Sequence, residues 1–273
     1  MLFPILKMLL KLWRAFFLGL NFLPIPVSRY CCICERGVLR FVPYRGGSIF
    51  MPPLARALNV VGSDVNHFEC PHCGSSDRDR HLVLYLRAAG LTAGVAGARV
   101  LHFAPERNVA KLIAALQPAL YIRADKFPTR AEVVELDLTH IAAEAQSFDL
   151  VIANHVLEHV DDVQSALTEI HRVLAPGGFA ILQTPFSSTL TRTFEDPGIQ
   201  SKSARLHAYG QEDHVRMYGR DIDTVFTSRG LVSRVNTHEV LLPQIDPMRY
   251  GVNAAEPFLL FQKPLESLDH ESR

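Results

Sequence analysis

The sequence predicts an α/β protein: a mostly parallel sheet with helices on both faces, preceded by a small cysteine-bearing module. Three observations predict it. From residue 98 to about 264, short apolar runs alternate with runs of helical periodicity. All five cysteines fall between residues 31 and 73. Hydrophobic residues make up 48% of the 273 positions, enough to bury a substantial core.

Residues 1–27, MLFPILKMLLKLWRAFFLGLNFLPIPV, are mostly apolar, and Lys7, Lys11 and Arg14 interrupt the run. Those three fall on one face of a helix, giving an amphipathic basic arm. Its uninterrupted apolar part, 15–23, is too short to span a membrane, and prolines rather than a small-residue cleavage site follow it. The arm suits a helix packed on the protein, a helix lying on a membrane surface through residues 1–23, or a signal-like segment. The expected order is then a cysteine module over 28–76, a linking helix and its connection over 77–97, the alternating domain over 98–264, and a fraying polar tail over 265–273.

Lys plus Arg equals Asp plus Glu at 28 each, so no overall field draws the chain to nucleic acid. Cysteines clustered as two close pairs plus one extra suit a metal site in a reducing compartment, and hence a cytoplasmic location, better than a spread of disulfides. Cys31-x-x-Cys34 and Cys70-x-x-Cys73 are the pairs. Thiolates three positions apart converge on one edge of a tetrahedron, and two such turns complete a structural four-thiolate zinc site with no open position. Cys32 is the extra thiol and competes with Cys31 as ligand. Gly74 supplies a permissive turn residue after the second pair, and Gly37 is its counterpart near the first. VLRFVPY (38–44) between the pairs reads as a strand, so the module is zinc-ribbon-like.

Ser75 and Ser76 cap the linking helix and Gly90 ends it. The alternating domain then runs as a strand at 99–103, a helix at 108–116, strands at 120–125 and 133–138, a strand from 148 turning into a loop by 160, a helix at 163–174 and a strand at 179–185. A helix at 222–230 and two late strands, VSRVNTHEV and PFLLFQK, follow, and the late pair is placed to run antiparallel at the sheet edge.

The run FDLVIANHVLEHVDD, followed by AL.EI.RVLAPGG and FAILQTP, resembles the class I S-adenosylmethionine (SAM)-dependent methyltransferases of the type 11-like kind, over residues 98–263. The cysteine-rich front end followed by CPHCGSSDRDRHLVLYL resembles a bacterial subset of them. The resemblance implies a Rossmann-like, seven-stranded sheet binding SAM at the carboxyl ends of its strands. By position, His102, Phe103, Ala104 and Glu106 would meet the methionine part, with Glu106 on its ammonium. Asp125 would hold the ribose, Asp137 and Leu138 the adenine, and Asn154 and His155 the region of the sulfonium. The sequence departs from the family at HFAPER, where Ala104 stands at the first glycine position and Glu106 near the second.

For the chemistry, His155, Glu158 and His159 are candidates on one side, and Asp213 and His214 within YGQEDHVRMYG (209–219) on the other. His155, His214 and Asp213 are the expected catalytic residues, with His214 read as the base. Arg216 is expected on a polar or anionic acceptor group, and Arg78, beside Arg80 and His81, in the substrate cleft. The expected activity is methyl transfer to a small-molecule or glycan acceptor. Two alternatives stand beside it. One is a nucleic-acid methyltransferase gripping through the zinc module, against which the neutral charge and NHVL in place of an N/D-P-P-Y/F segment both count. The other is a non-catalytic scaffold on the same fold, for which HFAPER is the support.

Overall fold

The computed structural model of the chain describes residues 11–13, 15–16, 18–21 and 27–265. The expected arm and polar tail therefore lie largely outside the described residues. The described residues from 11 to 20 are helical, with Leu12, Trp13 and Phe16 exposed. No helix among the described residues is long and apolar enough to cross a membrane.

Strands β1 (Arg29–Cys31) and β2 (Arg36–Val38) form an antiparallel hairpin with Cys31 opposite Arg36. The strand expected over VLRFVPY does not continue. Val42 makes one isolated antiparallel bridge to Glu69, Pro43 has no N–H to offer a ladder, and 3-10 turns follow at Tyr44–Gly46 and Ser48–Phe50. Helix α1 (Pro53–Ala57), which starts on a proline, and strand β3 (Val60–Val61) complete the stretch between the cysteine pairs.

Helix α2 (Asp77–Ala88) opens on a capping box: the Asp79 N–H donates to Ser76 Oγ, and the Ser76 N–H donates back to the Asp79 carboxylate, both at 3.1 Å. A short helix α3 (Leu91–Val95), not expected from the sequence, follows it. Then come β4 (Arg99–Phe103), α4 (Arg107–Ala115), β5 (Leu120–Asp125), β6 (Val134–Glu135), β7 (Phe148–Ala153), α5 (Val163–Val173), β8 (Leu174–Ile181) and β9 (Phe186–Ser187). The chain closes with α6 (Lys202–Tyr209), α7 (Ile222–Thr227), β10 (Val232–Ser233), α8 (His238–Leu241), α9 (Pro247–Tyr250) and β11 (Leu260–Gln262).

Seven of these strands form one sheet in the order β10-β11-β8-β7-β4-β5-β6. β4, β5, β6, β7 and β8 are parallel, while β11 runs antiparallel to both β8 and β10. Side chains alternate across its central strands. Leu101, Phe103, Val151, Ala153, Ala180 and Phe261 enter one core with α5 and α7. Val100, Leu150, Ile152, Ile181 and Leu260 enter the other with α2 and α4. The edge strands β6 and β10 are shorter than the apolar runs suggest, each two residues long and largely exposed. A further difference is at β8, which starts directly after α5 and takes in Pro176-Gly177-Gly178. Its register against β7 shifts between Phe148 and Leu150, and at Gly178 the carbonyl of Ala175 lies 2.9 Å from where a Cβ would stand.

Two devices bind the front module to this domain. β3 pairs antiparallel with β9, Val60 opposite Ser187 and Val61 opposite Phe186. The fully buried Arg80 donates to the carbonyls of His67, Phe68, Ser75, Tyr250 and Gly251, and its guanidinium lies 3.9 Å from the centre of the Phe41 ring.

Candidate active site and thiol cluster

The strand order reverses between β4 and β7. From β4 the chain moves outward to β5 and β6, and from β7 outward to β8 in the opposite direction. The carboxyl ends of β4 and β7 therefore flank the switch point, where open α/β sheets leave a crevice. A cavity of about 440 Å³ lies there. Ala104, Glu106, Asn154, His155 and Pro185 line it from the sheet. Its opposite wall comes from the stretch between the cysteine pairs, including Tyr44, Phe50, Met51, Pro52, Val65 and Phe68. The long spacing between the pairs is thus the cap of the cavity. Its third side is α6 and the loop after it, with Tyr209, Gln211, Asp213 and His214.

The turn after β4 keeps a left-handed residue without a glycine: Ala104 has φ 45°. His155, after β7, has φ 55°. Such backbone costs roughly 1–2 kcal/mol per non-glycine residue, and both residues face the same cavity. Glu106, the residue before α4, accepts from the Asn154 side-chain amide, while its other oxygen lies 3.1 Å from His102 Nε2. His102 is in turn held through Nδ1 by the Tyr121 hydroxyl at 3.0 Å. Burial raises the Glu106 pKa, but the contacts from His102 and Asn154 outweigh it and hold the group below its ordinary value, so the carboxylate stays charged.

The expected cofactor residues separate into two groups. Ala104, Glu106, Asn154 and His155 line the cavity together. His102 and Phe103 are buried behind it, His102 clamping Glu106 and Phe103 sitting in the core. Asp125, Asp137 and Leu138 do not line it. Asp125 caps its own loop, accepting from the Phe127 N–H at 2.8 Å. Asp137 pairs with Lys126 at 2.8 Å and accepts from Thr139; the lysine, first, and the Thr139 hydrogen bonds hold its pKa near 2. Leu138 is buried among core residues.

His155 is clamped rather than free. Its Nδ1 lies 3.2 Å from Glu158 and its Nε2 3.4 Å from Glu256. Burial and Arg78 lower its pKa, but the two carboxylates prevail and leave it above 6.5. Burial likewise pushes Glu158 up, and the hydrogen bond and charge of His155 bring it down to about 2. His155 thus stands between two carboxylates that favour its charged form. Glu256 also faces His81 Nδ1 at 3.4 Å, and His81 Nε2 is 3.0 Å from His238 Nδ1. Nothing in the sequence marks Glu256, because its partners lie far away along the chain.

Arg216 is a correction. It is buried away from the cavity, donates to the carbonyls of Leu157, Val160 and Asp161, and pairs with Glu195 at 2.9 Å. The two Nη groups tie the 209–219 loop to the turn after β7, and Nε is taken by Glu195. Arg78, in contrast, does line the cavity, with Asp213, His159 and His214. His214 is buried, and burial lowers its pKa. Its Nδ1 faces the Tyr209 carbonyl at 3.1 Å and must carry the proton, since a carbonyl only accepts. Nε2 is buried with no hydrogen-bond partner among the described residues.

The four paired cysteines converge in the front module. Their sulfurs all lie within 4.8 Å of one another, with Cys31–Cys73 and Cys34–Cys70 each at 3.8 Å. The two turns are alike. Glu35 N–H donates to the Cys31 carbonyl and Gly74 N–H to the Cys70 carbonyl, both at 2.9 Å, with Glu35 at φ 55° and Gly74 at φ 72°. Glu35, not Gly37, therefore takes the left-handed position after the first pair, and Gly37 lies in β2. Cys32 points the other way, into the core beside α2, where its thiol meets the Arg80 carbonyl at 3.6 Å and burial pushes its pKa to about 12. The geometry selects Cys31 over Cys32 for the cluster. His72 turns outward from it to the Gly37 carbonyl at 3.2 Å.

A family model described as a methyltransferase domain matches residues 91–182. A hybrid PKS-NRPS synthetase of Xenoacremonium sinensis is 36% identical over 69 residues; the match covers 25% of this chain and spans only 2% of that protein's length. Among solved structures, a candidate sarcosine dimethylglycine methyltransferase from Galdieria sulphuraria is 17% identical, with TM-score 0.44 over 68% of this chain and 88% of that one. An S-adenosylmethionine-dependent methyltransferase from Mesorhizobium loti is 13% identical, with TM-score 0.41 over 65% and 96%. The segment from α3 through β8 is the part that matches the methyltransferase-domain model, and it contributes Ala104, Glu106, Asn154 and His155 to the cavity.

Proposed function

We propose that the chain transfers a methyl group from SAM to a small-molecule or glycan-type acceptor. The cavity at the switch point carries this reading: its sheet side lies within the methyltransferase-matching segment, and residues 44–68 close it from above. Glu106, kept charged, is the group for the ammonium of the donor, with the Asn154 amide beside it. Asp125 and Asp137, beyond the cavity at the carboxyl end of the sheet, are the groups for ribose and adenine. SAM supplies a methyl already activated on a sulfonium, so the residues need mainly to align two molecules and exclude water. The apolar cap suits that task. The acceptor end holds Arg78, Asp213, His159 and His214, where the Asp213 carboxylate and the His214 Nε2 lone pair take up a proton or a cation. Among the described residues, arginine enters the lining only at Arg45 and Arg78, and lysine not at all, which favours a compact acceptor over a nucleic-acid strand.

Calorimetric titration with SAM tests the donor site. The intact chain should bind, and Glu106→Ala should bind roughly tenfold or more weakly, since a charged contact is lost. No binding at millimolar SAM would remove the methyltransferase reading and leave the scaffold alternative.

The four-thiol cluster is the proposed site of a structural zinc ion. A tetrahedron of 2.3 Å zinc–sulfur bonds has edges of roughly 3.8 Å, matching the Cys31–Cys73 and Cys34–Cys70 separations of 3.8 Å. Elemental analysis of the purified chain should find one zinc, lost in Cys70→Ser and kept in Cys32→Ala. Full zinc in Cys70→Ser would refute the ligand set.

A further inference from the structure

A second group of potential ligands lies at the acceptor end of the cavity, away from the thiol cluster. Glu158, His159 and His214 each offer one ligand atom, and these atoms all lie within 4.8 Å of one another. Two atoms of the group, Glu158 Oε2 and His214 Nε2, are buried with no hydrogen-bond partner, on side chains that are 1% and 3% exposed. A buried carboxylate oxygen and a buried imidazole nitrogen each cost roughly 1–3 kcal/mol when left unsatisfied. Two such atoms in one cluster point to a group that both would hold.

Each of the three side chains is also oriented by a second residue. His214 Nδ1 donates to the Tyr209 carbonyl, which leaves Nε2 as a bare lone pair. His159 Nδ1 is turned to Asp213, 3.3 Å from its carbonyl and 3.4 Å from its carboxylate, which leaves the other nitrogen of that ring available. Glu158 is held through Oε1 by His155 Nδ1 at 3.2 Å, which leaves Oε2. Ligating histidines that donate their second N–H to a carbonyl or carboxylate are the usual support of a metal centre. The local sequence explains the placement. Glu158 and His159 are adjacent in the 3-10 turn Leu157–His159, and the backbone bond from Val215 N–H to the Glu158 carbonyl at 2.9 Å brings His214 against them.

We propose that Glu158, His159 and His214 bind a divalent first-row transition cation at the acceptor end of the cavity. Two imidazoles and one carboxylate are a donor set for such ions and leave coordination positions open. His159, His214 and Asp213 border the cavity, so the open positions take an oxygen of the bound acceptor. His214 then serves as a ligand, and the more exposed Asp213 carboxylate is the group left to receive a proton. The acceptor's chemistry rests on the methyltransferase reading, but cation binding does not.

Mn²⁺ is the probe, because it takes nitrogen and oxygen donors in preference to thiolates. The untagged full chain, with zinc retained in its thiol cluster, is titrated with Mn²⁺ and followed by electron paramagnetic resonance. One equivalent should bind. His159→Ala changes a partly exposed side chain, and its fold is checked by circular dichroism; it should weaken binding roughly tenfold or more. Glu158→Gln should do the same, while Asp137→Asn should leave it unchanged. No binding to the intact chain at millimolar Mn²⁺, or equal binding in folded His159→Ala, would overturn the proposal. SAM calorimetry on the same sample is a separate readout, so loss of the metal site and loss of the methyltransferase reading are told apart.

Discussion

Arg80→Ala is expected to lower the stability of the chain by about 4 kcal/mol and its melting temperature by roughly 10 °C. The guanidinium is fully buried, and its donors reach the carbonyls of His67, Phe68, Ser75, Tyr250 and Gly251. Alanine would leave those acceptors dry and open a hole under Phe41, whose ring now faces the guanidinium at 3.9 Å. The damage should spread to the thiol cluster. The Ser75 carbonyl that Arg80 holds also accepts the Cys70 N–H at 2.8 Å, and Ser75 Oγ lies 3.2 Å from Cys73 Sγ. Thermal denaturation with parallel zinc analysis checks both effects. Arg80→Lys should recover only part of the loss, because an ammonium cannot present the planar fork that serves separated carbonyls. A melting temperature within two degrees of the parent would mean that the carbonyls find water instead.

Glu256→Gln is expected to cost roughly 3 kcal/mol near neutral pH and to change how stability depends on pH. Glu256 is buried, 3.4 Å from both His155 and His81. Its carboxyl is held well below its ordinary value: burial pushes it up, and the interactions with His155 and His81 more than reverse that. Glu158 is held at about 2 in the same way. Lowered carboxylates contribute stability that is complete above their ordinary value of 4.5 and is lost as pH falls through the folded values. The raised pKa of His155 acts in the opposite sense. Its contribution is complete below 6.5 and is lost as pH rises through the folded value. The melting temperature of the parent should therefore be highest between about pH 5 and 6.5 and fall on both sides. In Glu256→Gln one of the two carboxylates that hold the His155 proton is gone, so the alkaline decline should move to lower pH. An unchanged profile would mean that His155 is neutral throughout. Because His155 lines the cavity, the same proton sets the charge beside any bound donor.

The sheet was legible because periodicity is local. Strands buried on both faces read as apolar runs, and β4 and β5 fall where those runs begin and end, at Arg99–Phe103 and Leu120–Asp125. Helix α2 was legible through Ser76 and its cap, and the cysteine pairs through a spacing that a single turn enforces. What the local pattern misses is what depends on partners far along the chain. β6 and β10 stop short because they are sheet edges, and strand order is not written in either segment. The stretch between the cysteine pairs carries no motif, yet it forms the roof of the cavity once β3 pairs with β9.

The same division runs through the site. Glu106, Asn154 and His155 could be placed from the sequence, because the ends of β4 and β7 meet at any switch point of this topology. The states of these residues could not. Whether His155 is a base or a cation depends on Glu256, a neighbour only in space. Whether Arg216 meets a ligand or a backbone depends on three carbonyls of the turn after β7. Whether Cys31 or Cys32 joins the cluster depends on which face of the β1–β2 hairpin meets α2. The sequence by itself determined the central strands and the helices between them, the likeness of the domain and the residue types available for chemistry, since these follow from side-chain period and short-range turns. Only the tertiary structure decided which polar groups are satisfied and which are left bare. Burial and hydrogen bonding are set by packing, and packing brings together residues that the chain keeps apart.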